Sequence, residues 1–207
     1  MADLSKIYLF RMTHIENIPH ILQYGIVHSN SINANPNFVP IGDGSLIATR
    51  NNIILNNGRP LGEYIPFYFG VRTPMLYVIQ HGFNMVAPMP AENIVYCVTS
   101  VQKIIELQLN FIFTDGHAVD GFTSQFTRQD IDNLNEILDW HAIKAKYWHK
   151  DNDLDLKRRK EAEFLVLGDI PTNAILGYVV YNQNSKNKLI KYGIDTAYIF
   201  INHEYYF

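Results

Sequence analysis

Two carboxylates, Glu161 and Glu163, stand two positions apart where a run of four cations, residues 157–160, gives way to the apolar stretch 164–167. In an extended chain successive side chains alternate faces, so both carboxylates are expected on one face, with Ala162 and Phe164 on the other. Carboxylates at the mouth of a buried strand are costly to desolvate unless something uses them. The competing reading is a solvated charge run that caps an ordinary core strand. Three more polar residues, His14, Arg50 and His117, lie near the ends of apolar segments flanked by aromatics. Together with Glu163 they suit chemistry on a dinucleotide held without a Rossmann fold. An arginine can bind a diphosphate, and a histidine at a strand–turn junction can hold the nicotinamide ribose. A carboxylate can hydrogen-bond a ribose hydroxyl while positive charge builds at the anomeric carbon. Glycosidases apply the same carboxylate logic to an oxocarbenium-like state.

Other chemistries lack their residues. The eight histidines show no His-x-x-x-His spacing and there is one cysteine, Cys97, so no metal site and no zinc-deaminase cysteine pair is expected. Cys97 lies inside the apolar run 94–98 and is expected as a buried thiol rather than a nucleophile. There is no Gly-x-Ser-x-Gly, P-loop or Gly-x-Gly-x-x-Gly. A net charge of −3 argues against indiscriminate coating of nucleic acid but leaves room for a local basic groove. No signal peptide is recognisable and no apolar run approaches a membrane span, so a soluble cytoplasmic protein without membrane contact is expected.

The elements that must position these residues fit one α+β domain over residues 1–207. Strands are expected at 7–12, 64–69, 75–79, 94–100, 110–113, 164–167, 175–181 and 198–201. Thr13 with Glu16 forms a capping-box pattern ahead of a helix ended by Gly25. Residues 28–45 form a long irregular loop, more often functional than idle, and Arg50 closes the short apolar segment after it. A helical period spans 130–148, interrupted or re-capped at Asp139, and further helices are expected at 101–107 and 185–194.

Five stretches, in order, resemble the DarT family of bacterial DNA ADP-ribosyltransferase toxins. They are Phe10-Arg11-Met12-Thr13-His14-Ile15-Glu16-Asn17-Ile18, Tyr64-Ile65-Pro66-Phe67-Tyr68-Phe69, Arg72-Thr73-Pro74-Met75-Leu76-Tyr77, Phe113-Thr114-Asp115-Gly116-His117-Ala118 and Ala162-Glu163-Phe164-Leu165-Val166. The resemblance implies an ADP-ribosyltransferase-like fold with a split mixed or antiparallel β core and peripheral helices. It implies transfer of ADP-ribose from NAD to thymine or guanine in single-stranded DNA, with release of nicotinamide. Residue by residue it implies Glu163 and Arg50 as catalytic, with His14, Ile15, Glu16, Tyr68 and again Arg50 around NAD. On the DNA side it implies His117, Tyr147, Trp148, Lys157 and Arg158, with 148–159 as the substrate-recognition loop. It further implies a cognate antitoxin that removes ADP-ribose, of macrodomain or similar type. Thymidine-modifying members carry a more Arg-rich stretch where this chain has Ser-Leu-Ile-Ala-Thr-Arg at 45–50, so the acceptor base stays open. An RNA or protein acceptor is the alternative enzyme, and a silent single-stranded nucleic-acid-binding module is the non-enzymatic one. The module would grip phosphate through 157–160 and stack bases on Tyr147 and Trp148, and it has no use for a carboxylate at Glu163.

Overall fold

The computed structural model describes residues 3–84 and 86–207. Strands β1 (Tyr8–His14), β2 (Tyr64–Tyr68), β3 (Ile94–Ser100), β4 (Phe111–Thr114), β5 (Gln125–Phe126), β6 (Glu163–Leu167), β7 (Gly177–Val180) and β8 (Ile199–Ile201) form one sheet, ordered β5-β4-β6-β2-β1-β3-β7-β8. All neighbours pair antiparallel except β7 and β8, which are parallel. Around it lie helices α1 (Ile18–Tyr24), α2 (Gly44–Asn52), α3 (Pro74–His81), α4 (Val101–Glu106), α5 (Leu134–Ile137), α6 (Trp140–Lys144), α7 (Leu156–Lys160) and α8 (Gln183–Lys191).

The sheet is weakest at its centre. β1 pairs with β3 along its whole length, and β2 pairs with β6 from Tyr64↔Leu167 to Tyr68↔Glu163. Between β1 and β2 the ladder comes down to Phe10↔Tyr68. Pro66 in β2 has no N–H to give its neighbour, and the Pro66 carbonyl accepts instead from Arg11 Nη1 at 3.0 Å. The expected split is thus a parting of β1 from β2, with an arginine side chain bridging the gap.

Alternation along the strands buries both faces. Leu9, Ile65, Phe67, Val95, Phe164 and Val166 pack with α1, α4 and α8, whereas Ile94 and Tyr96 pack on the other face with Leu76 and Ile79 of α3.

Several elements differ from expectation. Residues 75–79 are helical rather than extended. Thr73 Oγ1 accepts from Leu76 N–H at 3.3 Å, Pro74 opens the first turn and Gly82 closes the helix at φ 74°. A short apolar run with Leu76 and Ile79 buried three apart satisfies a helix as well as a strand. β1 continues through Thr13, so the cap is His14, whose Nδ1 accepts from Glu16 N–H at 3.2 Å. Residues 44–52, expected as a short apolar segment and loop, form α2, started by Asp43 accepting from Ser45 N–H at 2.8 Å. The 130–148 pattern is broken into a 3₁₀ turn, α5 and α6, with Asp139 capping α6 through Ala142 N–H. Glu161 falls outside β6. It ends α7 at φ −94°, ψ 25°, so strand alternation does not set its direction.

Candidate active site

Glu163 opens β6 and is fully buried. Its backbone N–H donates to Thr114 Oγ1 at 3.1 Å, and Thr114 donates to the Gly116 carbonyl at 2.7 Å, which fixes the end of β4 against the start of β6. The carboxylate is held from two sides. Ala118 N–H donates to Oε1 at 2.9 Å and Arg50 Nη1 donates to Oε2 at 2.9 Å. A buried carboxyl group is costly without such donors. His117 Nε2 stands 3.9 Å from Oε1.

Arg50 comes from the last turn of α2, a helix none of whose residues is buried. α2 can lie close to the turn 61–63 because Gly62 has no side chain: a β-carbon there would collide with Asn51 Oδ1. Its placement sends Arg50 across to Glu163 from 113 residues away in sequence. The other end of the guanidinium, Nη2, is buried and has no hydrogen-bond partner. An orphaned buried donor is costly, and here it identifies a position at which a ligand acceptor belongs.

Two adjoining cavities open on this arginine. One of about 180 Å³ is lined by Tyr68, His117, Asp43 and Met75. The other, about 360 Å³, is lined by Asn17, His20, His28 and Tyr64. Arg11, Thr13, Phe38, Ile47, Arg50 and Pro66 border both. Arg11 is a functional candidate that the sequence did not single out. Burial, and then the charge of Arg50, lowers its pKa to about 10, and no carboxylate pairs with it among the described residues. A half-buried, unneutralised guanidinium bordering two cavities calls for an anion, and a dinucleotide diphosphate is one. Tyr68 lies opposite Glu163 across β2 and β6. Burial and the nearby charges of Glu163 and Glu161 raise its pKa well above the ordinary phenol, so it stays neutral. Burial lowers the pKa of His117, opposed by Glu163 and reinforced by Arg50 and Lys157, which keeps a neutral imidazole beside the carboxylate. Burial raises Glu161 to about 8.

Arg50, Tyr68, His117 and Glu163 are therefore brought together. The turn at His14 is not. His14 borders neither cavity, Ile15 is in the core, and Glu16 is bound to Lys188 and to Tyr192 Oη. The cavity-lining residues of that motif are instead Arg11, Met12 and Thr13, just before the turn, and Asn17, just after it. Trp148 is also displaced from its expected place. It is buried edge-on against Tyr77 and Phe207, whereas Tyr147 is exposed.

The basic run is mostly structural. Arg158 is held by Asp155 and Asp115, and its Nη1 also reaches Thr123 Oγ1 at 3.3 Å. Arg159 binds Asp139, Asp153 and Asp155. Lys160 is buried and donates to the carbonyls of Ile143 and Ala145 at 3.2 and 2.6 Å. Only Lys157 among the four is exposed without an ion-pair partner among the described residues. Because Arg158 bridges α7 to the loop after β4 from a half-enclosed position, Arg158→Ala is expected to lower unfolding stability by about 1–3 kcal/mol. Urea denaturation checks this, and an unchanged midpoint would return Arg158 to the role of a free phosphate grip.

No described helix is long and apolar enough to cross a membrane, and among the described residues no His, Cys, Asp and Glu cluster could hold a metal ion.

A sheet parted at its centre, with a buried glutamate on one half and an arginine reaching it across adjoining cavities, defines the ADP-ribosyltransferase class. Residues 10–207 match the family described as ssDNA thymidine ADP-ribosyltransferase, DarT, and the chain belongs to that family. It is an NAD-dependent DNA ADP-ribosyltransferase acting on single strands. A DNA ADP-ribosyl transferase of Escherichia coli O127:H6 is 31% identical over 188 residues, 89% of this chain and 85% of that protein. The structure of Thermus sp. 2.9 DarT in complex with ADP-ribosylated ssDNA superposes with a TM-score of 0.84 at 29% identity, covering 97% of this chain and 96% of that one. The same Thermus protein in complex with NAD+ gives 0.80 at 28%, covering 100% and 99%. A DNA ADP-ribosyl transferase–glycohydrolase fusion protein of Thermosipho africanus is 29% identical over 160 residues, 76% of this chain but 38% of the fusion.

Proposed function

We propose that this chain transfers ADP-ribose from NAD to thymine in single-stranded DNA at the Arg50–Glu163 centre. The observation that carries the reading is Arg50, which lines both cavities, bonds Glu163 through Nη1 and carries a buried, unpartnered Nη2. The thymine assignment rests on the family's description, because the sequence leaves thymine and guanine open.

In the reaction the bond from the ribose anomeric carbon to the nicotinamide nitrogen breaks, and a bond to the base forms. Nicotinamide leaves neutral with the electron pair of the broken bond, and the base gives up one proton. Glu163 accepts a hydrogen bond from a hydroxyl of the nicotinamide ribose and opposes the positive charge that grows on the ring. Ala118 N–H and Arg50 hold its two oxygens in place for that task. A guanidinium is a donor rather than a free base, and Arg50 stabilises negative charge on the base as its proton leaves. That proton is assigned to the neutral His117 imidazole, whose nearness to Glu163 supports the role. Arg11 holds the diphosphate between the two cavities, while Tyr68 presents a neutral ring and hydroxyl to the nicotinamide end.

An ADP-ribose-removing partner fits this reading, since a single-stranded DNA modifier endangers the cell that makes it. The Thermosipho relative, which joins transferase and glycohydrolase in one chain, supports such a pairing. NAD and single-stranded DNA meet in the cytoplasm, and the enzyme is assigned there.

Incubation with NAD and four homopolymer-biased oligonucleotides, followed by intact mass, tests the assignment. The expected result is one ADP-ribose added to the thymine-rich strand alone. Gain on the guanine-rich strand would overturn the base, and gain on RNA or on the protein but on no DNA would overturn the acceptor class.

A further inference from the structure

The loop between β4 and β5 is fastened unusually well for a segment whose largest side chain touches solvent. His117 N–H donates to the Arg158 carbonyl at 3.0 Å, and the His117 carbonyl accepts from Asp120 N–H at 3.0 Å and from Thr123 Oγ1 at 2.8 Å. Thr123 is in turn reached by Arg158 Nη1, and Asp115 bonds both Arg158 and Ser124 N–H. At the tip, Asp120 Oδ1 accepts from Phe122 N–H at 2.9 Å. Gly116 lies against Arg158 so closely that a β-carbon there would collide with the guanidinium. The loop is therefore braced on α7, yet Phe122 at its tip is 88% exposed.

A single exposed phenylalanine is ordinary. This one has two further features. It adjoins Thr123, which bonds the backbone of the histidine beside Glu163. Next to Arg158, whose carbonyl accepts from His117 N–H, stands Lys157, which has no ion-pair partner among the described residues and whose charge lowers the pKa of His117. An exposed aromatic ring on a braced loop and an ammonium without an ion-pair partner among the described residues are the two components with which proteins hold single strands: a platform for a base and a charge for the backbone.

We propose that Phe122 stacks on the base neighbouring the modified nucleotide, with Lys157 on the phosphate between them, so that the β4–β5 loop forms one wall of the DNA site. The inference rests on the single-stranded DNA reading above and adds a surface to it. The bracing by Arg158 acquires a purpose here: a platform contributes most when its position is fixed before the strand arrives.

The test is fluorescence anisotropy with a labelled thymine-rich oligonucleotide, comparing the whole chain with Phe122→Ala and Phe122→Trp. Phe122→Ala is expected to bind about 5- to 150-fold more weakly, as loss of one base–aromatic stack implies, with an unchanged melting temperature. Phe122→Trp is expected to restore affinity and to lose indole fluorescence on binding. Abasic substitution next to the target thymine should weaken the parent chain by the same factor and leave Phe122→Ala unaffected further. Equal affinity of Phe122→Ala and the parent, or losses that multiply in the abasic strand, would overturn the stack. Failure of the parent chain itself to bind the oligonucleotide would overturn the DNA reading with it.

Discussion

Glu163→Gln is expected to reduce ADP-ribose transfer by about a thousandfold or more while NAD still binds. The substitution preserves volume in a fully buried position but cannot preserve the bonding. Both carboxylate oxygens face donors, Ala118 N–H on one side and Arg50 Nη1 on the other. A glutamine can accept from only one of them, and its amide nitrogen meets the other donor head-on. It also removes the negative charge opposite the ring carbon that becomes cationic, which matters far more in the transition state than in bound NAD. Transfer should therefore fall much further than affinity. Single-turnover mass spectrometry at saturating NAD reads the first quantity, and calorimetric titration with NAD reads the second. Transfer within a few-fold of the parent would remove Glu163 from the mechanism. Glu163→Ala is the less informative variant, because it leaves Arg50 and Ala118 without acceptors and puts folding at risk.

What was legible in the sequence follows from the range of the interactions involved. The strand expected at 94–100 spans Ile94–Ser100 because residues 94–98 are apolar throughout and Ser100 caps the next helix. β6 was legible from its core residues, yet its first residue was not, since Glu161 leaves the strand only through the backbone turn that ends α7. The strand expected at 75–79 is α3 instead, because five apolar residues carry no decisive period. The Thr73-Pro74 opening was the signal available, as Ser, Thr or Asp before proline is a frequent helix start. The site followed the same rule. Glu163, Arg50 and His117 stand out in the sequence as polar residues at the ends of apolar segments, but tertiary geometry is what brings them together, and Tyr68 joins them beforehand only through the family resemblance. Arg11 lay inside the quoted motif without distinction. Its importance comes from Pro66, 55 residues away, and from the gap that proline opens in the sheet. The four cations at 157–160 misled in the opposite direction, because the carboxylates that occupy Arg158 and Arg159 come from Asp115, Asp139, Asp153 and Asp155, and composition alone does not pair them.

Arg50→Lys carries the second large expectation, a loss of about 2–4 kcal/mol in transition-state stabilisation, or roughly 30- to 1000-fold in transfer. Charge alone does not explain the residue, since lysine would supply it. The position asks for a fork: Nη1 is committed to Glu163 Oε2 at 2.9 Å while Nη2 is buried and unpartnered in a residue that lines both cavities. A lysine ammonium is a single point on a flexible stem and satisfies one of these demands at a time. If it remains on Glu163, the base loses the donor that stabilises its anion. If it swings into the cavity, Glu163 loses an oxygen's partner and its aim at the ribose. Arg50→Ala loses both together, and its transfer rate should fall at least as far as that of Arg50→Lys. The two variants are compared by single-turnover transfer to the thymine-rich strand at saturating NAD. A lysine variant that transfers at the parent rate would show that only charge is required at α2, and two variants at the parent rate would make the Arg50–Glu163 bond purely structural. A large loss in both, with Arg50→Lys still folded at the parent melting temperature, would place the guanidinium fork between the ribose-holding carboxylate and the acceptor base.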